Sequence, residues 1–344
     1  GINNEMVKNA PTMHSVRSKL RPVLSDHVIV GHNVGFDLGF LRQESLGTRN
    51  AQLDTVTLAS ILFPEAGRFN LENLVNYLGL PGAGEGQSHR ALDDAEQTVE
   101  LFLALKEQAL KLSLSTLEEI VQSGRQIQWP ETRFFEDILD MRAQRAFENS
   151  ELRQRGRLVR LFRPPKVEGR NLVPADPPEP LDIDLVADMI MPGGNFSHAF
   201  PNFEYRQQQV EMLVAVAQSL NEGQQVLIEA GTGTGKSVGY LLPATFWAVQ
   251  NGRRVFISTN IINLQDQLMS KDIPMLQNLL PFDLRAAIRK GRSNYLCTRL
   301  FQQMRHSGPS NGDEMTVYAR MLQWLPETQT GDVGELPMRS PRER

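Results

Sequence analysis

Gln225-Val-Leu-Ile-Glu-Ala-Gly-Thr-Gly-Thr-Gly-Lys-Ser237 decides how the second half of this chain is read. The apolar run 225–230 is short, rich in branched residues and bounded by glycine, which predicts a buried strand. Gly231, Gly233 and Gly235 follow at alternate positions, and Lys236 and Ser237 open a helical pattern. Strand, glycine loop and helix in that order form a phosphate cradle. Glycines let successive backbone N–H groups curl around phosphate oxygens, and the helix start adds the positive end of its dipole. Gly231, Thr232, Gly233, Thr234 and Gly235 then line the phosphates of ATP. Lys236 reaches the β- and γ-phosphates, and the Ser237 hydroxyl holds Mg2+. Ala230 stands at the first position of the pattern, where glycine is usual.

Working outward, a helix is expected over 206–220, before the loop. Arg254-Val-Phe-Ile-Ser-Thr259 reads as the next strand, with a helix after it. Residues 201–344 are thus expected to be α/β. So are residues 1–111, with a helix over 13–24 capped by Thr12 and a strand at His27-Val-Ile-Val-Gly31. Further helices are expected near 35–43, 54–63, 70–78 (capped by Asn70) and 90–112. Residues 112–200 differ. Trp129-Pro130 interrupts a helical region, and Met141 to Arg170 carries nine Lys/Arg against three Glu. Pro174, Pro177, Pro178 and Pro180 then rule out helix interior, so this stretch reads as a helical and Pro-rich linker with one short helix near 184–191.

Composition narrows the class. A net charge of −4 means that nucleic-acid contact must come from local patches. The single cysteine, Cys297, cannot form an internal disulfide, which fits a reducing cytoplasm. No apolar run approaches the ~18 residues needed to cross a bilayer, and the polar N-terminus is no signal peptide. The first residue is not Met, and Arg339-Ser-Pro-Arg-Glu-Arg344 closes no evident element. The sequence therefore reads as a piece of a longer chain.

Two stretches of the first 111 residues carry chemistry: His32-Asn-Val-Gly-Phe-Asp-Leu-Gly-Phe40 and His89-Arg-Ala-Leu-Asp-Asp-Ala95. Hard Mg2+ or Mn2+ prefers carboxylate oxygen, so acidic residues from separate elements can converge on it. A histidine near its neutral form can take a proton from attacking water. These stretches resemble the second and third motifs of the DnaQ-like DEDDh 3′→5′ exonucleases, over roughly 1–111. The resemblance implies an RNase H-like fold, Asp37 and Asp94 (not Asp93) as metal ligands, and His89 as the base. The family's first motif, Asp-x-Glu on an opening strand, is expected to precede Gly1. Asp54 reads as a helix cap and His32 as a structural residue.

The phosphate loop has company of its own. Tyr205-Arg-Gln-Gln-Gln209 resembles the Q motif of superfamily 2 helicases, with Gln209 reading adenine. Ser258-Thr259-Asn260 with Leu264-Gln265-Asp266-Gln267-Leu268 resembles motif Ia of DinG- and XPD-like helicases. The resemblance implies that Thr259, Asn260 and Gln265 grip the DNA backbone. Lys290-Gly-Arg-Ser-Asn-Tyr-Leu-Cys297 resembles the approach to the first ligand of their iron–sulfur cluster. A [4Fe–4S] cluster takes four thiolates, so Cys297 either belongs to a cluster completed by later residues or is a lone thiol. The likeness covers about 182–344 and implies part of a RecA-like lobe. No Asp-Glu-x-His box is present.

From Leu284 to Gly312 there are six Lys/Arg and no acid, with Tyr295 and Phe301 interleaved. Such a stretch suits single-stranded DNA, with Arg289 and Arg292 on phosphates and Tyr295 stacking on a base. Tyr295 as a core residue is the competing reading. The combined expectation is an ATP-dependent DNA helicase with an associated 3′→5′ exonuclease, acting in repair or replication. Its rivals are an exonuclease whose ATP-binding lobe only regulates it, and a nucleotide-gated DNA-binding scaffold.

Overall fold

The computed structural model describes Glu5 and residues 8–82, 91–148, 171–199, 203–231 and 233–336. The fold is mixed α/β and mostly helical. The chain forms two compact units, one of residues 1–165 with 291–344 and one of residues 166–290. Residues 291–336, read from the sequence together with the phosphate loop, thus pack in the unit of the N-terminal segment.

The first unit begins with α1 (Met13–Leu24), β1 (Ile29–Gly31), α2 (Val34–Gln43), β2 (Gln52–Asp54) and α3 (Thr55–Leu62). The strands pair in parallel, Ile29 with Gln52, Val30 with Leu53 and Gly31 with Asp54. Parallel pairing requires a crossover, which α2 provides. Apolar on nearly every side, α3 is the buried centre of the unit. Around it lie α4 (Leu71–Leu78), α5 (Ala91–Ala109), α6 (Leu114–Gln126) and α7 (Thr132–Glu148). Ser113 starts α6 by accepting the Thr116 N–H at 3.1 Å.

Late in the chain come α14 (Thr298–Ser307) and α15 (Gly312–Trp324), the latter capped by Asn311. Tyr318, Leu322 and Trp324 of α15 enter the same core as Leu58, Leu62 and Ile120. Gln323 Nε2 donates to the Leu62 carbonyl at 3.2 Å. Arg305 donates two hydrogen bonds to Glu119, at 2.6 and 2.5 Å, and Tyr318 donates a third at 2.5 Å. Pairing with Glu119 holds Arg305 above its ordinary pKa, while burial, with Glu119 adding, pushes the Tyr318 phenol well up. Truncating one member would strand a largely buried charge, which is costly.

The second unit contains α8 (Ile183–Asp188), α9 (Asn195–Ala199), α10 (Gln207–Glu222), α11 (Lys236–Gln250), α12 (Ile262–Gln267) and α13 (Ile273–Leu279). A π-helical turn, Leu268–Asp272, joins the last two. Val186, Phe196, Leu213, Leu241, Leu242 and Leu276 make its core. The strands expected at 225–230 and 254–259 are not formed: both runs are irregular, with Leu227 100% and Phe256 83% exposed. An apolar run becomes a strand only where a neighbour takes up its N–H and C=O groups. Among the described residues no strand pairs with either run.

The Pro-rich arm is fastened to this unit. Buried Asn251 accepts the Glu179 N–H at 2.6 Å and donates to its carbonyl at 3.1 Å. Asn221 does the same for Leu181, at 2.7 and 3.0 Å. Gly252 has φ 55°, and a Cβ there would lie 2.2 Å from the Val173 carbonyl oxygen, so the arm passes only over a glycine.

Candidate functional site

In the first unit, the carboxyl ends of β1 and β2 are tied together side chain by side chain. Asp54 Oδ1 accepts the Val56 N–H at 2.9 Å, capping α3, and the Asn33 N–H at 3.0 Å. His32 Nδ1 lies 2.9 Å from Thr55 Oγ1, which donates to the Gly31 carbonyl at 3.2 Å. Asn33 itself is left-handed, with φ 63°. A non-glycine residue keeps that conformation only where its neighbours impose it. Gly31 has no room for a side chain, since a Cβ would meet Val34 Cγ2 at 2.9 Å.

This knot starts α2, and Asp37 sits exposed in the helix's first turn. Phe36 and Phe40, 66% and 60% exposed, flank it as an edge-to-face pair 5.2 Å apart. Exposed aromatic faces of this kind can stack on bases. Asp93 and Asp94 lie half-buried in the first turn of α5, where the helix dipole favours their charge. His89 lies outside the described residues.

No group of three or more His, Cys, Asp or Glu able to hold a metal occurs among the described residues. In donor type, Asp37 and Asp94 fit a hard divalent cation such as Mg2+ or Mn2+.

The second unit carries the glycine loop as the N-terminal lead into α11. Gly233 and Gly235 have φ 81° and 76°, which favours glycine at both. Lys236 Nζ donates to the Ala230 and Gly231 carbonyls at 3.0 and 2.5 Å, and Thr234 Oγ1 to Gly231 at 3.0 Å. Gln209 Nε2 donates to the Gly235 carbonyl at 2.9 Å, and Arg206 Nη1 donates to Gly233. The Tyr205–Gln209 stretch therefore backs the loop. Ser237 shares a side-chain hydrogen bond with Tyr240, whose phenol burial pushes up. Thr232 lies outside the described residues.

The remaining sequence candidates scatter. Thr259 accepts the Ile261 N–H at 3.2 Å, and Asn260 is exposed beside it. The Gln265 amide oxygen is buried without a hydrogen bond. Arg289 belongs to the second unit, whereas Arg292 and Tyr295 belong to the first. Tyr295 is half-buried and bridges to Asp332, next to Leu296, which packs on the core. Cys297 is exposed at the start of α14.

Residues 1–102 match the family model described as Exonuclease. A curated relative, "3'-5' exonuclease DinG" of Bacillus subtilis (strain 168), is 34% identical over 99% of this chain and 36% of the relative. Proteins of the same name from Staphylococcus haemolyticus and Staphylococcus epidermidis are each 28% identical over 98% of the chain and 36% of the relative. The chain thus spans about a third of the length of the curated relatives it matches. No solved structure matches it. Among the described residues, no helix is long and apolar enough to cross a membrane.

Proposed function

We propose that this chain, which carries an N-terminal exonuclease domain and is homologous over nearly all its length to proteins named 3'-5' exonuclease DinG, contributes two sites to one DNA-processing enzyme. The first unit removes nucleotides from the 3′ end of DNA. The second binds ATP and Mg2+ and controls or powers that work from the cytoplasm.

The observation that carries the first reading is Asp37 at the start of a helix locked to the ends of two parallel strands. Open α/β sheets bind their ligands beyond the carboxyl ends of the strands. Asp37 and Asp94 hold the cation, His89 takes the proton of the attacking water, and Phe36 with Phe40 offers a face to the terminal base. A bound divalent cation steadies charge on the attacking and leaving oxygens of the phosphodiester.

For the second unit, a loop of three glycines with Lys236 and Ser237 at a helix start supports nucleotide binding. Its carbonyls already engage Lys236, Arg206 and Gln209, so phosphate must draw Lys236 off Ala230 and Gly231. Unwinding of DNA is the finer reading, supported by Ser258-Thr259-Asn260 after the loop. A [4Fe–4S] cluster through Cys297 belongs to that reading alone. The relatives' name, 3'-5' exonuclease, supports the digestion reading; regulation by nucleotide and a single-stranded substrate are the finer parts of the proposal. A single-stranded oligonucleotide tests the first unit. Digestion in Mn2+ should stop when its 3′-terminal linkages are phosphorothioates and continue when only the 5′ end is blocked. The opposite pattern sinks the polarity.

A further inference from the structure

Where β1 ends, the three consecutive residues Gly31, His32 and Asn33 are each held by Asp54 or Thr55 at the end of β2. Gly31 pairs with Asp54 in the parallel ladder, and its carbonyl accepts Thr55 Oγ1 at 3.2 Å. His32 Nδ1 lies 2.9 Å from the same Oγ1. The Asn33 N–H donates to Asp54 Oδ1 at 3.0 Å, across 21 residues of sequence. That one oxygen also accepts the Val56 N–H at 2.9 Å. A single carboxylate oxygen thus serves the starts of two helices, since Val56 lies in α3 and Asn33 immediately precedes α2.

A helix cap needs only the second of these bonds. Capping satisfies an orphan N–H of the residue's own helix, and serine, threonine, asparagine and aspartate all do so. The bond to Asn33 differs in kind, because it holds a residue of another element. Asn33 has φ 63°, a conformation that non-glycine residues rarely adopt and keep only where their surroundings impose it. This residue turns the chain from β1 into α2. The turn is tight, since a Cβ on Gly31 would meet Val34 Cγ2 at 2.9 Å. From there α2 is seated by buried Val34 and Leu38, and Asp37 is carried with it in the first turn.

We infer that Asp54 is a positioning residue of the exonuclease site: its Oδ1 sets where α2 begins relative to α3, and so where Asp37 stands. The inference rests on the reading of Asp37 as part of that site. In the sequence Asp54 reads as a helix cap alone; its second bond forms only because β1 and β2 lie side by side.

Three substitutions in the full-length protein separate the two bonds. Asp54→Ala removes both. Asp54→Ser keeps a good cap for α3, but its side chain is one atom shorter and does not reach Asn33 as well. Asp54→Asn keeps an oxygen that can accept both N–H groups. Amide hydrogen exchange reads the helix starts, and digestion of a single-stranded oligonucleotide in Mn2+ reads the site. Asp54→Ser should speed exchange over 31–40 by about tenfold, while peptides 55–62 and 71–78 hold their protection. It should also lower kcat with KM unchanged, and Asp54→Asn should restore both. Asp54→Ala should lose protection over 31–40 and 55–62 together. Wild-type exchange over 31–40 and wild-type kcat in Asp54→Ser make Asp54 a cap only and overturn the inference. So does equal loss of protection in all three peptides of Asp54→Ser, which is plain destabilisation. Asp37→Ala separates the inference from the reading beneath it. If it digests DNA normally, the reading of the site fails; if it is inert while Asp54→Ser digests as wild type, only the role of Asp54 fails.

Discussion

The two units place their motifs in opposite surroundings. Around Asp37, hydrogen bonds tie Asp54, Asn33, His32 and Thr55 of the β1–β2 junction together, and the helices beneath form one apolar core drawing on residues from Leu53 to Leu336. Around Lys236, the loop is backed by Gln209 and Arg206, but the apolar runs on either side of it, with Leu227 and Phe256, face solvent. A phosphate loop is a local device, made of glycine conformations and one helix start. An exonuclease site is assembled from distant elements and depends on what packs behind them. Damage to packing should therefore silence the first unit and spare the second.

The largest effect tests the register of the acidic pair. Asp94→Ala should reduce Mn2+-dependent release of nucleotides to background, whereas Asp93→Ala should keep most of it. An inert Asp93→Ala with an active Asp94→Ala shifts the motif by one residue. Next comes the core. Leu322 is buried in α15 among residues of α3 and α6, so Leu322→Ala should cost the first unit about 2–5 kcal/mol. Nucleotide binding by the second unit should survive. If thermal unfolding of the first unit is unaffected, α15 is not part of its core.

A third effect depends on pH. Burial, with Asp54 facing it, raises the Glu131 pKa from 4.5 to about 7. The folded state then holds a proton that the unfolded chain gives up at lower pH. Stability is lost as pH rises from 4.5 through about 7, and is level above that. Glu131→Gln removes the ionisation, so its advantage over wild type should grow across that window, to at most about 3 kcal/mol. Denaturant melts at pH 5 and pH 8 measure it, and a constant difference contradicts it. The smallest effect is at the loop. Lys236→Ala should weaken a fluorescent ATP analogue by about tenfold, or 1.4 kcal/mol, and leave nucleotide-free digestion unchanged. Equal affinity would remove the phosphate loop from the account.

Much of the helical framework was legible because it rests on local signals. Helix 13–24 came out at its expected ends, and Lys236 opens α11 as the glycine loop implied. What escaped was long-range. The strands at 225–230 and 254–259 were inferred from apolar pattern alone, and pattern does not supply the neighbour a strand needs. The run 27–31 shortened to Ile29–Gly31 because only those residues meet Gln52–Asp54. Nor did sequence order show that Tyr318 and Leu322 would join the core of α3. Of the candidate residues, Asp37 stands exposed in the first turn of α2, the place that a Phe-Asp pair after a strand implied. Gln265 was read by resemblance alone, and its amide oxygen is buried.

The central claim is that Asp37 serves digestion from the 3′ end. The direct measurement uses a single-stranded oligonucleotide carrying different fluorophores at its two ends, incubated with Mn2+ and the full-length protein, wild type or Asp37→Asn. The account predicts early release of the 3′ label as a short product, a ladder of shortening strands that keep the 5′ label, and neither with Asp37→Asn. Early release of the 5′ label, or an unchanged ladder from Asp37→Asn, would contradict it.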